Sequence, residues 1–195
     1  MASETDRRTE ILRQLTDYLL EHGLGEASLR PLAAAAGTNA RMLVYHFRSK
    51  ENLMVELVEE LRLWHREAFR RWLDDHSGTA TQDLLTYLWN WASSRKMEGL
   101  HRVVFQCASA GWQQPSVLGS PVRRLYGDWE QMLEASLVLR DVGAQDSKAL
   151  AAAAIGAVRG LLLDYLATGD RTRANAGAHE LAKWWKERLK PKRSR

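Results

Sequence analysis

The sequence is short of several things, and each shortage narrows what it can be. A single cysteine, Cys107, stands among 195 residues, so no internal disulfide can staple the chain and no thiolate cluster can hold zinc. Two isoleucines and ten valines face 29 leucines and 25 alanines. A sheet wants the β-branched residues, whereas leucine and alanine favour helices. Only four prolines interrupt the chain. No unbroken apolar run reaches the ~18 residues of a membrane span; the longest, Ala149 to Val158, is mostly alanine. The start, Met1 to Arg8, is polar and lacks the apolar segment of a secretory signal. The expectation is an all-α protein of the cytoplasm, with no membrane partner.

Catalytic signatures are missing too. There is no G-x-S-x-G, no phosphate-binding G-x-x-x-x-G-K-[ST], no H-E-x-x-H and no G-x-G-x-x-G. The histidines at 22, 46, 65, 76, 101 and 179 never fall three or four apart, so no helix presents two of them to a metal. Cys107 reads as a small core residue, and Asp74-Asp75 as a solvated helix end. The expected protein is not an enzyme and carries no catalytic residue, metal ligand or cofactor.

What is present is unevenly distributed charge. The formal net charge is +4, yet residues 183–195 hold seven basic side chains against one acid. That tail reads as a solvated end or as a DNA arm. Residues 1–26 carry six acids and three bases, whereas residues 27–50 carry Arg30, Arg41, Arg48 and Lys50 with no acid. A one-signed stretch beside an acidic one is a candidate phosphate-facing surface.

Helix signals surround that stretch. Ile11, Leu12, Leu15, Tyr18 and Leu19 share one face of a helix over residues 7–22, ended by Gly23 and Gly25. Ser28 fits the N-cap of a short helix running through Ala36, with Pro31 in its first turn. After Gly37, Thr38-Asn39 offers a cap for a brief helix over 40–45, and Ser49 a fresh cap for the next. Three helices in 47 residues, the last two joined through a glycine turn, predict a helix-turn-helix within a three-helix bundle. Ala33 to Ala36 would let its helices cross closely.

In such a motif the third helix buries Leu43 and Phe47 and presents Thr38, Asn39, Ala40, Arg41, Met42, Val44, Tyr45 and His46. Arg41 suits guanine O6/N7, while Met42 and Val44 suit thymine methyls. Tyr45, His46 and Lys50 are placed for phosphates, and Arg30 for backbone or base edge.

Ser28-Leu29-Arg30-Pro31-Leu32-Ala33-Ala34-Ala35-Ala36-Gly37-Thr38-Asn39, followed by Leu43-Val44-Tyr45-His46-Phe47-Arg48-Ser49-Lys50-Glu51-Asn52-Leu53, resembles the DNA-binding signature of the tetracycline-repressor (TetR) family of bacterial regulators. The resemblance covers residues 7–57. It implies a homodimer on double-stranded operator DNA, usually a repressor, released when a small molecule enters the C-terminal domain. Arg41 stands where a small residue or proline is common in the family, and Val44 where an aromatic is common.

Beyond the motif, Leu53, Leu57, Leu61, Trp64, Ala68 and Trp72 recur at steps of three and four, a single long helix over 50–74. Further helices are predicted over 80–93, 97–110, 118–139, 146–168 and 172–190. Residues 1–50 form the expected DNA-binding domain. Residues 51–195 form a larger helical domain for ligand binding and dimerisation.

Gly156 and Gly160, with Ala149 and Ala151 to Ala154, would let another helix approach. The last two helices, 146–168 and 172–190, thus read as half of an intersubunit four-helix bundle. Six of the eight tryptophans lie between residues 64 and 129. Singly such residues are more often core than ligand wall. Together Trp64, Trp89, Phe105, Trp112 and Trp129 are candidates to line a pocket for a small apolar or aromatic effector. The alternative is a helical binding protein or enzyme that never touches DNA.

Overall fold

The computed structural model describes residues 4–24 and 28–189, and among these it shows nine α-helices and no strand. They are α1 Glu4–His22, α2 Leu29–Ala35, α3 Ala40–Phe47, α4 Lys50–Asp75, α5 Leu84–Ala92, α6 Arg95–Gln113, α7 Gly119–Val138, α8 Ala144–Thr168 and α9 Arg171–Arg188, with a 3-10 turn at Thr81–Asp83 before α5. The all-α expectation holds, and each predicted helix is present within a few residues. Gly25 and the tail from Lys190 onward lie outside the described residues.

The boundaries follow from local chemistry. Gly23 and Gly37 take positive φ at the ends of the first two helices, a region where glycine meets no steric penalty. The Asn39 side-chain oxygen accepts from the Met42 N–H at 3.0 Å, and Ser49 Oγ accepts from the Asn52 N–H at 3.1 Å, so both predicted caps form. Ser28 has the extended backbone of an N-cap, but its side chain makes no capping bond. Between α3 and α4, Arg48 sits at φ 69. A left-handed residue there stops α3 and lets Ser49 start α4 at once.

Packing divides the chain into two units, Met1–Glu67 with Gly99–Tyr126, and Ala68–Glu98 with Gly127–Arg195. In the first, Ile11, Leu15 and Leu19 of α1 join Leu32, Leu43, Phe47, Leu53 and Leu57 in a fully buried core. Ala33 and Ala36 face inward while Ala34 faces out, the close crossing of small residues that the sequence implies. Gly99 of α6 lies against α1: a Cβ there would stand 2.5 Å from the Leu20 carbonyl oxygen.

In the second unit, Phe69 stacks on Trp72 and on Trp129, the latter with ring centroids 4.5 Å apart, and Trp91 packs against the cluster at a tilt. The Arg140 guanidinium gathers the carbonyls of His76, Ser77 and Thr79 just past the end of α4, holding the turn that follows the helix. Trp89 Nε1 donates to Asn175 at 2.9 Å and Trp185 Nε1 donates to the Thr81 carbonyl at 2.8 Å. These bonds fasten α9 to α5 and to the turn before it.

Two expectations change. The buried stripe of α4 runs Leu53, Leu57, Leu61, His65, Phe69, Trp72. Trp64 is 46% exposed and Ala68 only half-buried, because the buried face continues from Leu61 by steps of four to His65 and Phe69, which leaves Trp64 and Ala68 on its flank. Trp64 is the more apolar of the two neighbours, yet His65 takes the inner position. Secondly, α8 is long and apolar enough to cross a membrane by length and composition, with a third of its most apolar stretch buried. Arg159 interrupts that stretch, so it holds no unbroken apolar run of such length. One such helix is also what a helix-packing interface produces.

Candidate nucleic-acid interface and its helical partners

The interface is built on α3. Its core face is Leu43 and Phe47, both fully buried, and the Arg8 guanidinium lies 5.2 Å from the Phe47 ring centroid. Arg8 also pairs with Glu56, so α1, α3 and α4 are tied at one place. With that face fixed, the opposite one must look outward. Arg41, Met42, Val44 and Tyr45 are exposed, Tyr45 at 68%. Thr38, Ala40 and His46 are partly exposed and Asn39 is exposed while capping the helix. A rigid, capped N-terminus is what a helix needs to place side chains on base edges.

The acid-free run of residues 27–50 puts its cations on the same surface. Arg30, Arg41, Arg48 and Lys50 are all exposed, and none pairs with a carboxylate among the described residues. Several cations elsewhere are engaged, Arg13 with Glu10 and Asp17, Arg124 with Glu59, Arg171 with Glu98 and Arg173 with Asp164. Arg66, Arg95, Lys96, Arg102, Arg123 and Lys148 form no such pair among the described residues but lie scattered along the chain. Even the described part of the basic tail is paired, Lys183 with Glu180, Lys186 with Asp83 and Arg188 with Asp146. The adjacent acid, Glu51, is held below the usual carboxylate range by its own backbone N–H and the Ser49 hydroxyl, with a smaller contribution from the Lys50 charge. Four cations without an ion pair around an exposed helix form an anion-attracting surface.

Two contacts tie this head to α6. The Leu24 N–H donates to Gln106 Oε1 at 2.6 Å, and Gly99 meets the Leu20 carbonyl as described. Sequence reasoning missed both. Their partners lie about 80 residues apart, and neither glutamine nor glycine announces such a role. A polar cleft of about 530 Å³ lies alongside, lined by Lys50, Gln106, Ser109 and Gln113 among others.

The five aromatic candidates for an effector wall are placed differently from one another. Trp129 and Trp89 are buried in the second unit, Trp129 within the aromatic stack and Trp89 on its bond to Asn175. In the first unit Trp64 is exposed and Phe105 half-buried. Trp112, 81% exposed, lines a cleft of about 490 Å³ between the end of α6 and the start of α7.

On α8 the outward face carries Ala149, Ala152, Ala153, Gly156, Gly160 and Leu163, with Leu163 51% exposed. A Cβ at Gly156 or Gly160 would meet nothing within 4 Å. Gly177 of α9 does serve packing inside the unit, since a Cβ there would stand 2.7 Å from Leu161 Cδ2. The α8 glycines therefore open outward, and Trp184 of α9 is also exposed.

An all-helical chain whose first unit presents a capped, cation-ringed third helix belongs to the helix-turn-helix class. Comparison narrows this. Residues 11–57 match the model of bacterial regulatory proteins, tetR family. The chain is 30% identical over 119 residues to the HTH-type transcriptional repressor KstR2 of Mycolicibacterium smegmatis, a match spanning 61% of this chain and 51% of that one. It therefore spans about half the length of that relative. Its fold is that of the TetR-family regulator from Cytophaga hutchinsonii, at a TM-score of 0.76 and 16% identity over 98% of this chain and 100% of that one. It is also that of the multidrug binding protein EbrR complexed with proflavin, at 0.65 and 20% over 91% and 98%. Residues 11–57 are thus a domain of the tetR family of bacterial regulatory proteins, set in a chain with the fold of such regulators.

Proposed function

We propose that this protein is a sequence-specific transcriptional repressor that binds operator DNA as a homodimer and leaves it when a small-molecule effector binds. The observation that carries the reading is the set of free cations, Arg30, Arg41, Arg48 and Lys50, around the exposed face of α3. In the major groove Arg41 reads guanine, Met42 and Val44 contact thymine methyls, and Thr38, Asn39 and Ala40 lie at the entering end. Tyr45, His46, Lys50 and Arg30 anchor phosphates. Residues 1–50 serve DNA and 51–195 serve ligand and dimer. That division concerns function, and the packing units cut the chain elsewhere.

The outward stripe on α8 supports dimerisation through α8 and α9, because small residues let helix backbones approach closely and two such pairs make a four-helix bundle. A two-fold dimer must hold its recognition helices about 34–36 Å apart to enter successive major grooves. An effector that prefers another spacing shifts the population by its differential affinity for the two forms. The 26-residue α4 carries Lys50 at its first residue and Trp72 near its last turn, so tilting it moves Lys50 with the rest. Gly99 and Gln106 couple α6 to the end of α1 in the same way.

The test is mobility shift on the DNA upstream of the gene and on a random operator pool, each at two salt concentrations. Selective binding by a dimer with a steep salt slope is expected. Absence of binding to both would leave a helical ligand-binding protein or enzyme in its place.

A further inference from the structure

The cleft between α6 and α7 has a composition that specifies a ligand. Its floor is apolar and buried, made by Ala108, Gly111 and Val122. Here the two helices approach so closely that a Cβ on Gly111 would stand 3.1 Å from Val122. One wall is the indole of Trp112, which the protein leaves almost wholly in water. A flat aromatic surface beside a greasy floor binds a flat apolar body, by stacking and by removal of water from both.

The rim adds a charge. Arg123 is exposed and has no carboxylate partner among the described residues, whereas its neighbour Arg124 is committed to Glu59 and Ser120. The Arg123 guanidinium lies over Gly119, with Nη1 3.5 Å from where a Cβ would stand. A Cβ at 119 would be in ordinary contact with it and with Pro115. No aspartate or glutamate lines the cleft. A guanidinium recognises a carboxylate through paired N–H donors, and no acidic side chain in the lining would pair with a cation instead.

We propose that this cleft binds a small organic anion with a flat apolar body, of the aromatic carboxylate class, stacked on Trp112 and paired through its carboxylate with Arg123. The proposal deepens the reading of a ligand-responsive regulator by giving its effector a site and a charge. It differs from the chemistry of the solved relative that holds proflavin, a planar cation.

Calorimetric titration of the full chain without DNA tests it, with 2-naphthoate, its neutral counterpart 2-naphthamide, and proflavin as probes. Naphthoate is expected to saturate one site per protomer and to bind about tenfold tighter than the amide. Arg123→Gln should abolish that preference, and Trp112→Ala should weaken naphthoate and amide alike. Both side chains are exposed, so circular dichroism of each variant should match the wild type. The proposal is overturned if naphthoate does not saturate, if its preference over the amide survives Arg123→Gln, or if proflavin binds the cleft more tightly than naphthoate and loses affinity in Trp112→Ala. DNA binding is read separately by mobility shift. DNA binding without naphthoate binding removes the cleft and leaves the regulator; naphthoate binding with the stated dependence but no DNA binding does the reverse.

Discussion

Replacing Gly99 with alanine measures how tightly the DNA-binding head is joined to α6. The new Cβ would stand 2.5 Å from the Leu20 carbonyl oxygen, well inside ordinary carbon–oxygen contact. That oxygen belongs to the backbone, so no side-chain rotation relieves the clash, and α1 and α6 must part by about half an ångström or more. Overpacking of this kind costs about 1–3 kcal/mol. Alanine in mid-helix returns about 0.5–1 kcal/mol relative to glycine, which leaves a net loss centred on ~1 kcal/mol and reaching at most ~2.5 kcal/mol. For a chain of this size a loss of ~1 kcal/mol lowers Tm by roughly 2–4 °C. Gly127 provides the control, because it is helical too and its Cβ would sit an ordinary 3.5 Å from the Gln131 amide. Thermal unfolding followed at 222 nm should show Gly127→Ala at or above the wild-type Tm and Gly99→Ala below it. If Gly99→Ala raises Tm as Gly127→Ala does, the close approach of α1 and α6 is wrong, and with it the coupling path through Leu20.

Asn39→Ala removes the cap of α3 and should cost about 1 kcal/mol of stability, with DNA affinity falling on all sequences; unchanged denaturant midpoint and affinity would refute it. Leu163→Asp places a charge on the outward stripe of α8, so sedimentation equilibrium should show monomers of unchanged helicity, and a persistent dimer would move the interface elsewhere. Burial pushes the Cys107 thiol up from 9.0 to about 12, so folding favours its neutral form. The associated stability is full below about pH 9, where the unfolded thiol is also neutral, and is lost as pH rises towards 12. Between pH 7.5 and 10.5 the wild type should therefore lose about 2 kcal/mol more than Cys107→Ala in chemical denaturation; equal losses would contradict the assignment.

The helices were legible because their signals are local. Asn39 and Ser49 cap, Gly23 and Gly37 turn, and the leucine-rich faces repeat within a few residues. The recognition surface was legible for the same reason, since Arg41, Tyr45 and Lys50 lie within ten residues of one another and Leu43 and Phe47 define the opposite face. Where the chain folds back on itself the sequence was silent. The union of residues 99–126 with the N-terminal head depends on Gly99 meeting Leu20 and Gln106 meeting Leu24, pairings with no periodic signature. Trp64 illustrates a subtler limit: one residue of drift in a helical stripe moved a predicted core tryptophan to the surface and brought His65 inside. Arg123 is informative only because Glu59, 65 residues before Arg124, engages that neighbouring arginine and leaves Arg123 free.

The central claim, that α3 reads operator DNA, is tested most directly by the base preferences of Arg41→Ala and Lys50→Ala on an operator selected from a random pool. Arg41→Ala should cost about 1–3 kcal/mol and relax the preference at one base pair in each half-site. Lys50→Ala should weaken every sequence alike and flatten the salt slope by about one. If both variants bind with wild-type affinity, base preference and salt dependence, the exposed face of α3 does not meet DNA.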